Sequence, residues 1–282
     1  MPDELPAKKA AESNGPVAAA STRRAANSVL TLPLRAFRLS LVSNAFFLML
    51  NTAVSSVLGA TFWLIAARLY TASDVGFAAA VIPLIGLLSN MGTLGLAVGL
   101  IRYLPEAESD PDRTRRMVNT SLTLSAMSAM ALGLVFLLGI TVWSPSLSFL
   151  RNDLRVAAAF VAFCGLFAFG PILDGAAIAY RKSGYVFVRS TLYNGLRVPL
   201  PFVFVGVFGI FGLLLPFLVS AFIAAVLAGF VFLPRFLARY RPKPTLRLDV
   251  LRPLFRFSLG NHVAGIIGIL VPSLLPLLVV TL

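Results

Sequence analysis

"YVFVRSTLYNGLRVPLPFVF", Tyr185 to Phe204, reads as an apolar helix interrupted by Arg189 and Arg197. A guanidinium stays charged at any working pH, so its place in such a stretch needs a reason. At helical spacing Arg189, Tyr193 and Arg197 share one face, with Asn194 beside them. Pro199 and Pro201 follow and should kink the helix or free backbone carbonyls.

The flanking sequence is apolar. The chain has 282 residues, 58% hydrophobic and only 12% charged, against about 25% charged in soluble domains. Runs long enough to cross a bilayer need about 20 residues. They occur at 43–66, 77–101, 118–143, 156–178, 185–208, 211–233 and 259–282. Seven spans leave no room for a soluble core, so the fold class is an all-α polytopic membrane protein.

The net charge of +13 suggests nucleic acid until its distribution is considered. With the N-terminus inside, 20 of the 24 Lys and Arg fall in inner segments and three (Arg68, Arg151, Arg155) in outer ones. Arg197 is the remaining one. This is the asymmetry of cytoplasmic loops, with attraction to anionic headgroups second. It predicts the inner (plasma) membrane, a cytoplasmic N-terminus, membrane lipids as partners and no nucleic acid. One cysteine, Cys164, excludes an intrachain disulfide, and His262 is the only histidine, so no metal or cofactor is expected.

Residues 1–28, rich in Ala, Ser, Pro and charge, read as a disordered cytoplasmic tail. Arg23-Arg24 precede a full-length span without a cleavage site, which argues against a twin-arginine signal. Residues 29–42 mix leucines with Arg35 and Arg38 and fit an interfacial amphipathic helix. A six-helix transmembrane lobe is expected over 43–233, a basic cytoplasmic linker over 234–258 and a seventh helix over 259–282. A weak repeat pairs Arg35 with Arg252 and Asn44 with Asn261, as if the seventh helix began a second lobe. Because Leu282 lies inside an apolar run, a truncated second lobe is expected.

Trp63 to Pro105, "WLIAARLYTASDVGFAAAVIPLIGLLSNMGTLGLAVGLIRYLP", carries Arg68, Asp74, Gly76, then Gly92, Gly95 and Gly99, then Arg102-Tyr103. With "DGAAIAYRKSGY", Asp174 to Tyr185, it resembles polysaccharide and O-antigen flippases of the Wzx type. These belong to the multidrug/oligosaccharidyl-lipid/polysaccharide exporter superfamily. The resemblance covers about 35–282 and implies a lipopolysaccharide or other surface-polysaccharide pathway. It also implies two lobes, alternating access and a polyprenyl-pyrophosphate-linked oligosaccharide moved from the inner to the outer leaflet. No enzymatic step is implied. Drug or cation export, or lipid II flipping, remain open within the superfamily.

If the fifth span starts near Gly184, Arg189 lies about 7 Å deep and Arg197 about 20 Å deep. Asp174 reaches about 9 Å, which pairs it with Arg189 as a structural ion pair. Arg197 is left without a partner at its depth and is the first substrate-binding candidate, because guanidinium binds phosphate bidentately. Tyr193 and Asn194 share its face, and Arg68, Arg102 and Asn44 are further candidates. For Arg68 and Arg102 interfacial anchoring competes with substrate contact, and for Asn44, Asn51 and Asn90 helix packing competes. His262 could titrate near neutral pH and couple protons.

Gly92, Gly95 and Gly99 lack the preceding strand of a nucleotide loop and read as close packing. So does the small face Ser125, Ala129 and Gly133. A membrane-embedded glycosyl- or acyltransferase would need carboxylates near a membrane face. Glu106, Glu108, Asp110 and Asp112 read instead as a solvated run. The basic linker could also hold polysaccharide assembly enzymes.

Overall fold

The computed structural model describes the backbone of residues 15–205, 211–237, 240–247, 249–255, 257–258, 260, 262, 274–276 and 279, with side chains from 42 onward. Two compact units result, Met1–Phe46 and Phe47–Leu282. Helices are α1 (Gly15–Leu69), α2 (Ala72–Gly92), α3 (Leu96–Tyr103), α4 (Pro111–Leu138), α5 (Ile140–Trp143), α6 (Phe149–Asn152), α7 (Leu154–Phe167), α8 (Phe169–Ala179), α9 (Ser183–Arg197), α10 (Leu200–Phe204), α11 (Phe211–Leu227) and α12 (Leu233–Phe236). A π-helical turn, Ala228–Phe232, joins the last two. No strand occurs among the described residues.

In chain order the longer helices group into six segments: α1, α2–α3, α4, α7–α8, α9–α10 and α11–α12. Five of these contain helices long and apolar enough to cross a membrane: Val42–Leu69, Ala72–Gly92, Pro111–Leu138, Leu154–Ala179 and Phe211–Phe236. The remaining segment, α9–α10, lies outside that set because its longer helix stops at Arg197, before Pro199, after only 15 residues. Most of 259–282 and residues 1–14 lie outside the described residues, as does Asn261. The expected seventh helix and the Asn44–Asn261 repeat therefore fall largely there. Helix α1 begins at Gly15, inside the stretch expected to be a disordered tail. Its alanines, Ala18 to Ala20, Ala25 and Ala26, are the strongest helix formers available.

Small residues set the packing in the second unit. A Cβ on Gly92 would lie 2.5 Å from the backbone of Ala129, so α2 and α4 meet at van der Waals distance. Gly133 sits against Cys164 in the same way, and Ser125 donates to the Thr93 carbonyl at 3.5 Å. The second segment breaks at Thr93–Gly95, where Leu94 (φ 51°) and Gly95 (φ 71°) adopt left-handed backbone. Sequence reading runs straight through this point. A Cβ on Gly95 would come 2.7 Å from the Ser258 carbonyl, so the break receives the helical residues after the linker. His262 completes this contact, with Nε2 3.0 Å from the Met91 carbonyl.

Beyond the break between α9 and α10, a side chain ties α10 to the start of α11. The Tyr70 hydroxyl shares its one proton between the carbonyls of Pro201 (2.9 Å) and Gly212 (3.1 Å). Tyr70→Phe should destabilise the protein by about 1–2 kcal/mol, because both carbonyls lose their donor. Thermal unfolding in a fixed detergent checks this, and an unchanged midpoint would mean that the clamp contributes nothing.

The basic connection is shorter than expected. Helix α12 continues to Phe236, residues 240–247 carry no regular secondary structure, and helix resumes at 249. Tyr240, Val250 and Leu254 are buried with Leu100, Met117, Ile172 and Leu233. The connection is therefore packed onto the bundle. The acids before α4 serve its N-terminus. Asp110 accepts from the amides of Asp112 and Arg113, and Asp112 pairs with Arg115 at 3.0 Å.

Candidate functional site

Between α1, α2, α7, α8, α9 and α11 lies a cavity of about 370 Å³, lined by polar groups from four of them. Ser55 comes from α1, Ser89 and Asn90 from α2, Asp174 from α8, and Arg189, Ser190, Tyr193 and Asn194 from α9. Each stands on an otherwise apolar helix, and burying such groups costs free energy unless they find partners.

The strongest of these partnerships is Arg189 with Asp174. Nε donates to Oδ1 at 2.7 Å and Nη2 to Oδ2 at 2.5 Å. This is a bidentate fork between side chains only 16% and 23% exposed. The tight turn Tyr180–Lys182 brings α8 and α9 together antiparallel, and Arg181 adopts left-handed backbone there (φ 55°). Arg189 lies six residues after the start of α9 and Asp174 five before the end of α8, so the two meet at nearly one level.

Asn194 closes a second cluster. Its Nδ2 donates to Ser55 Oγ (3.0 Å), to the Ser190 carbonyl (2.8 Å) and to Ser190 Oγ (3.2 Å). The two serine hydroxyls lie 3.1 Å apart. These bonds tie α1 to α9. Ser190 and Asn194 stand one helical turn apart, a spacing visible in the sequence. Ser55 and Ser89 carry no such mark, and only the tertiary fold brings them here.

Arg197 lies elsewhere. It does not line this cavity, and its guanidinium carbon sits 4.8 Å from the ring centre of Phe217, 5.3 Å from Tyr193 and 5.6 Å from Phe62. Gly59 leaves the room, since a Cβ there would stand 3.2 Å from Nη2. The charge is thus held by ring faces in a low-dielectric setting, where cation–π attraction is worth about 2 kcal/mol. Nε has no hydrogen-bond partner. Tyr193 connects the two regions: it lines the cavity and also lies under the guanidinium. Its ring meets Phe167 edge-on at 6.0 Å.

The remaining candidates do not converge on the cavity. Arg68 is exposed in the last turn of α1. Arg102 ends α3 with its guanidinium over Phe257 (5.0 Å) and Tyr103 (5.7 Å), bridging α3 to the helical residues after the linker. Asn44 lies on α1 within the first unit. Asn90, read as a packing amide, is on the cavity wall.

No curated protein matches the chain. One solved structure is described as "Outward-facing conformation of a multidrug resistance MATE family transporter of the MOP superfamily". It superposes with a TM-score of 0.61 at 15% identity, covering 80% of this chain and 52% of that one. The chain thus spans about half the length of that transporter and shares its fold. Residues 41–274 match the family described as "Polysaccharide biosynthesis protein", and this multi-pass membrane protein belongs to it.

Proposed function

We propose that the chain forms one lobe of a flippase that moves polyprenyl-pyrophosphate-linked oligosaccharide from the inner to the outer leaflet by alternating access. The observation that carries this reading is the pair of guanidinium groups on one face of α9. Arg189 lies in the polar cavity and Arg197 lies one step beyond it, behind Tyr193. A pyrophosphate crossing the membrane needs such groups, because its charge cannot be left in hydrocarbon. Arg197 has an Nε without a hydrogen-bond partner, and a guanidinium receives phosphate oxygens in a fork. Family membership and the transporter fold support the same reading.

Export of a drug cation fits less well. That chemistry requires a carboxylate free to bind it. Among the described span residues, Asp174 is the carboxylate away from a first turn, and Arg189 occupies both its oxygens. The proposed site is the inner membrane with a cytoplasmic N-terminus, following the charge asymmetry.

The test uses cells whose own flippase is deleted. The protein should restore surface glycan and clear lipid-linked glycan from the inner leaflet. Arg197→Ala at equal membrane abundance should slow export about tenfold, the loss of one charge-assisted contact, with Arg197→Lys in between. Full export by Arg197→Ala would remove that residue from the mechanism. Failure of the wild-type protein to restore glycan would overturn the function.

A further inference from the structure

A second cavity, of about 500 Å³, lies on the side of the bundle between α4, α8 and α11. Its walls are Ala126, Met127, Met130, Leu173, Phe222 and Phe230, all apolar. Met127, Phe222 and Phe230 are 56%, 59% and 64% exposed at its edges. Those helices are long and apolar enough to cross a membrane, so a groove between them with exposed apolar edges faces the hydrocarbon level.

One end differs. Helix α4 opens with "PDRTRR" and carries no charge after Arg116, so Asn119 lies near the passage from interface to hydrocarbon. The connection is fastened across this level. Asn119 Nδ2 donates to the Arg241 carbonyl (3.0 Å) and the Thr245 amide donates to Thr123 Oγ1 (3.0 Å). It brings Tyr240, Pro242, Lys243 and Pro244 to the end of the groove.

Two polar atoms there are buried without a hydrogen-bond partner, the Tyr240 hydroxyl and Asn119 Oδ1, on residues each 4% exposed. Buried polar groups are nearly always satisfied, so such a pair on a groove wall points to a missing ligand. Burial pushes the Tyr240 pKa up, which keeps the phenol a donor. Lys243 is exposed and makes no ion pair among the described residues.

We propose that this groove binds an anionic glycerophospholipid, with a hydrocarbon chain along the apolar walls and the headgroup at Lys243, Tyr240 and Asn119. The phosphate accepts from the Lys243 ammonium and the Tyr240 hydroxyl. A headgroup hydroxyl, as in phosphatidylglycerol, donates to Asn119 Oδ1. The division into a long apolar slot and a basic, hydrogen-bonding end at interface depth matches a lipid and no water-borne ligand. The bound lipid would join the connection to α4 and α11, and its groove backs onto the cavity proposed for the glycan, with Leu166 and Ala225 in the wall between them.

Native mass spectrometry of the detergent-purified full chain tests this with added phosphatidylglycerol and phosphatidylcholine. The wild type should retain one phosphatidylglycerol in preference to phosphatidylcholine. Lys243→Ala should weaken retention about tenfold and Tyr240→Phe several-fold, as expected for charged and neutral donors respectively. Gly229→Leu should abolish it, since a Cβ there meets nothing within 4 Å and the side chain extends into the groove. A thermal melt verifies that this variant folds; should it not, Ala126→Phe fills the same slot. Equal retention of both lipids, or retention unchanged by Lys243→Ala and by groove filling, overturns the proposal. A dimer that disappears with Gly229→Leu assigns the groove to a second copy and overturns it too.

Discussion

Arg189→Ala should lower stability by about 3–4 kcal/mol, among the largest effects of any single side chain in the bundle. The variant leaves the Asp174 carboxylate facing a cavity between apolar helices with neither of its two guanidinium bonds. Its charge is then left to the Asn and Ser dipoles of the cavity and to water. Residual exposure of the pair, 16% and 23%, lets cavity water soften the loss, which places the effect in the lower part of the range for buried pairs. The double variant Arg189→Met with Asp174→Leu should recover most of it, because two apolar groups need no partner. Thermal unfolding in lipid nanodiscs of the wild type, both single variants and the double variant gives the coupling directly. A coupling near zero would mean that the fork does not hold α8 to α9. This result bears on the pair as structure. Transport by Arg197→Ala is a separate measurement and stands or falls alone.

Gly92→Ala is the second large effect. The added methyl carbon would fall 2.5 Å from the nitrogen, Cα and Cβ of Ala129. Two of those atoms are backbone, so no rotamer change relieves the clash, and α2 must move away from α4. Overpacking a tight core costs about 1–3 kcal/mol where side chains can adjust. Here the cost should be about 3 kcal/mol or more. Ala129→Gly in the same chain should restore only a small part, since the backbone contacts remain. Gly86→Ala on the same helix is the control, because a Cβ there meets nothing within 4 Å and should leave the melting point unchanged. Equal melting points for Gly92→Ala and Gly86→Ala would refute the close approach of these helices.

Hydrophobicity and charge by themselves determined the all-helical membrane architecture. A span must be apolar over a bilayer's thickness, and that property is written locally in the chain. The same applies to the end of α9 at Pro199, the packing role of Gly92 and the level shared by Asp174 and Arg189. These depend on neighbours a few residues apart or on helical rise. What the tertiary structure decided was which polar groups meet. Arg189, read as the structural arginine, lines the cavity, and Arg197 lies among Phe62, Tyr193 and Phe217, drawn from three helices. Ser55 reaches Asn194 across 139 positions, and Arg241 reaches Asn119 across 122. The break at Leu94–Gly95 depends on Ser258 and His262 packing into it. Helical periodicity gives the face on which a residue lies and its depth. It does not give the rotation of one helix against the next, which is set by the fit of small and large side chains between them.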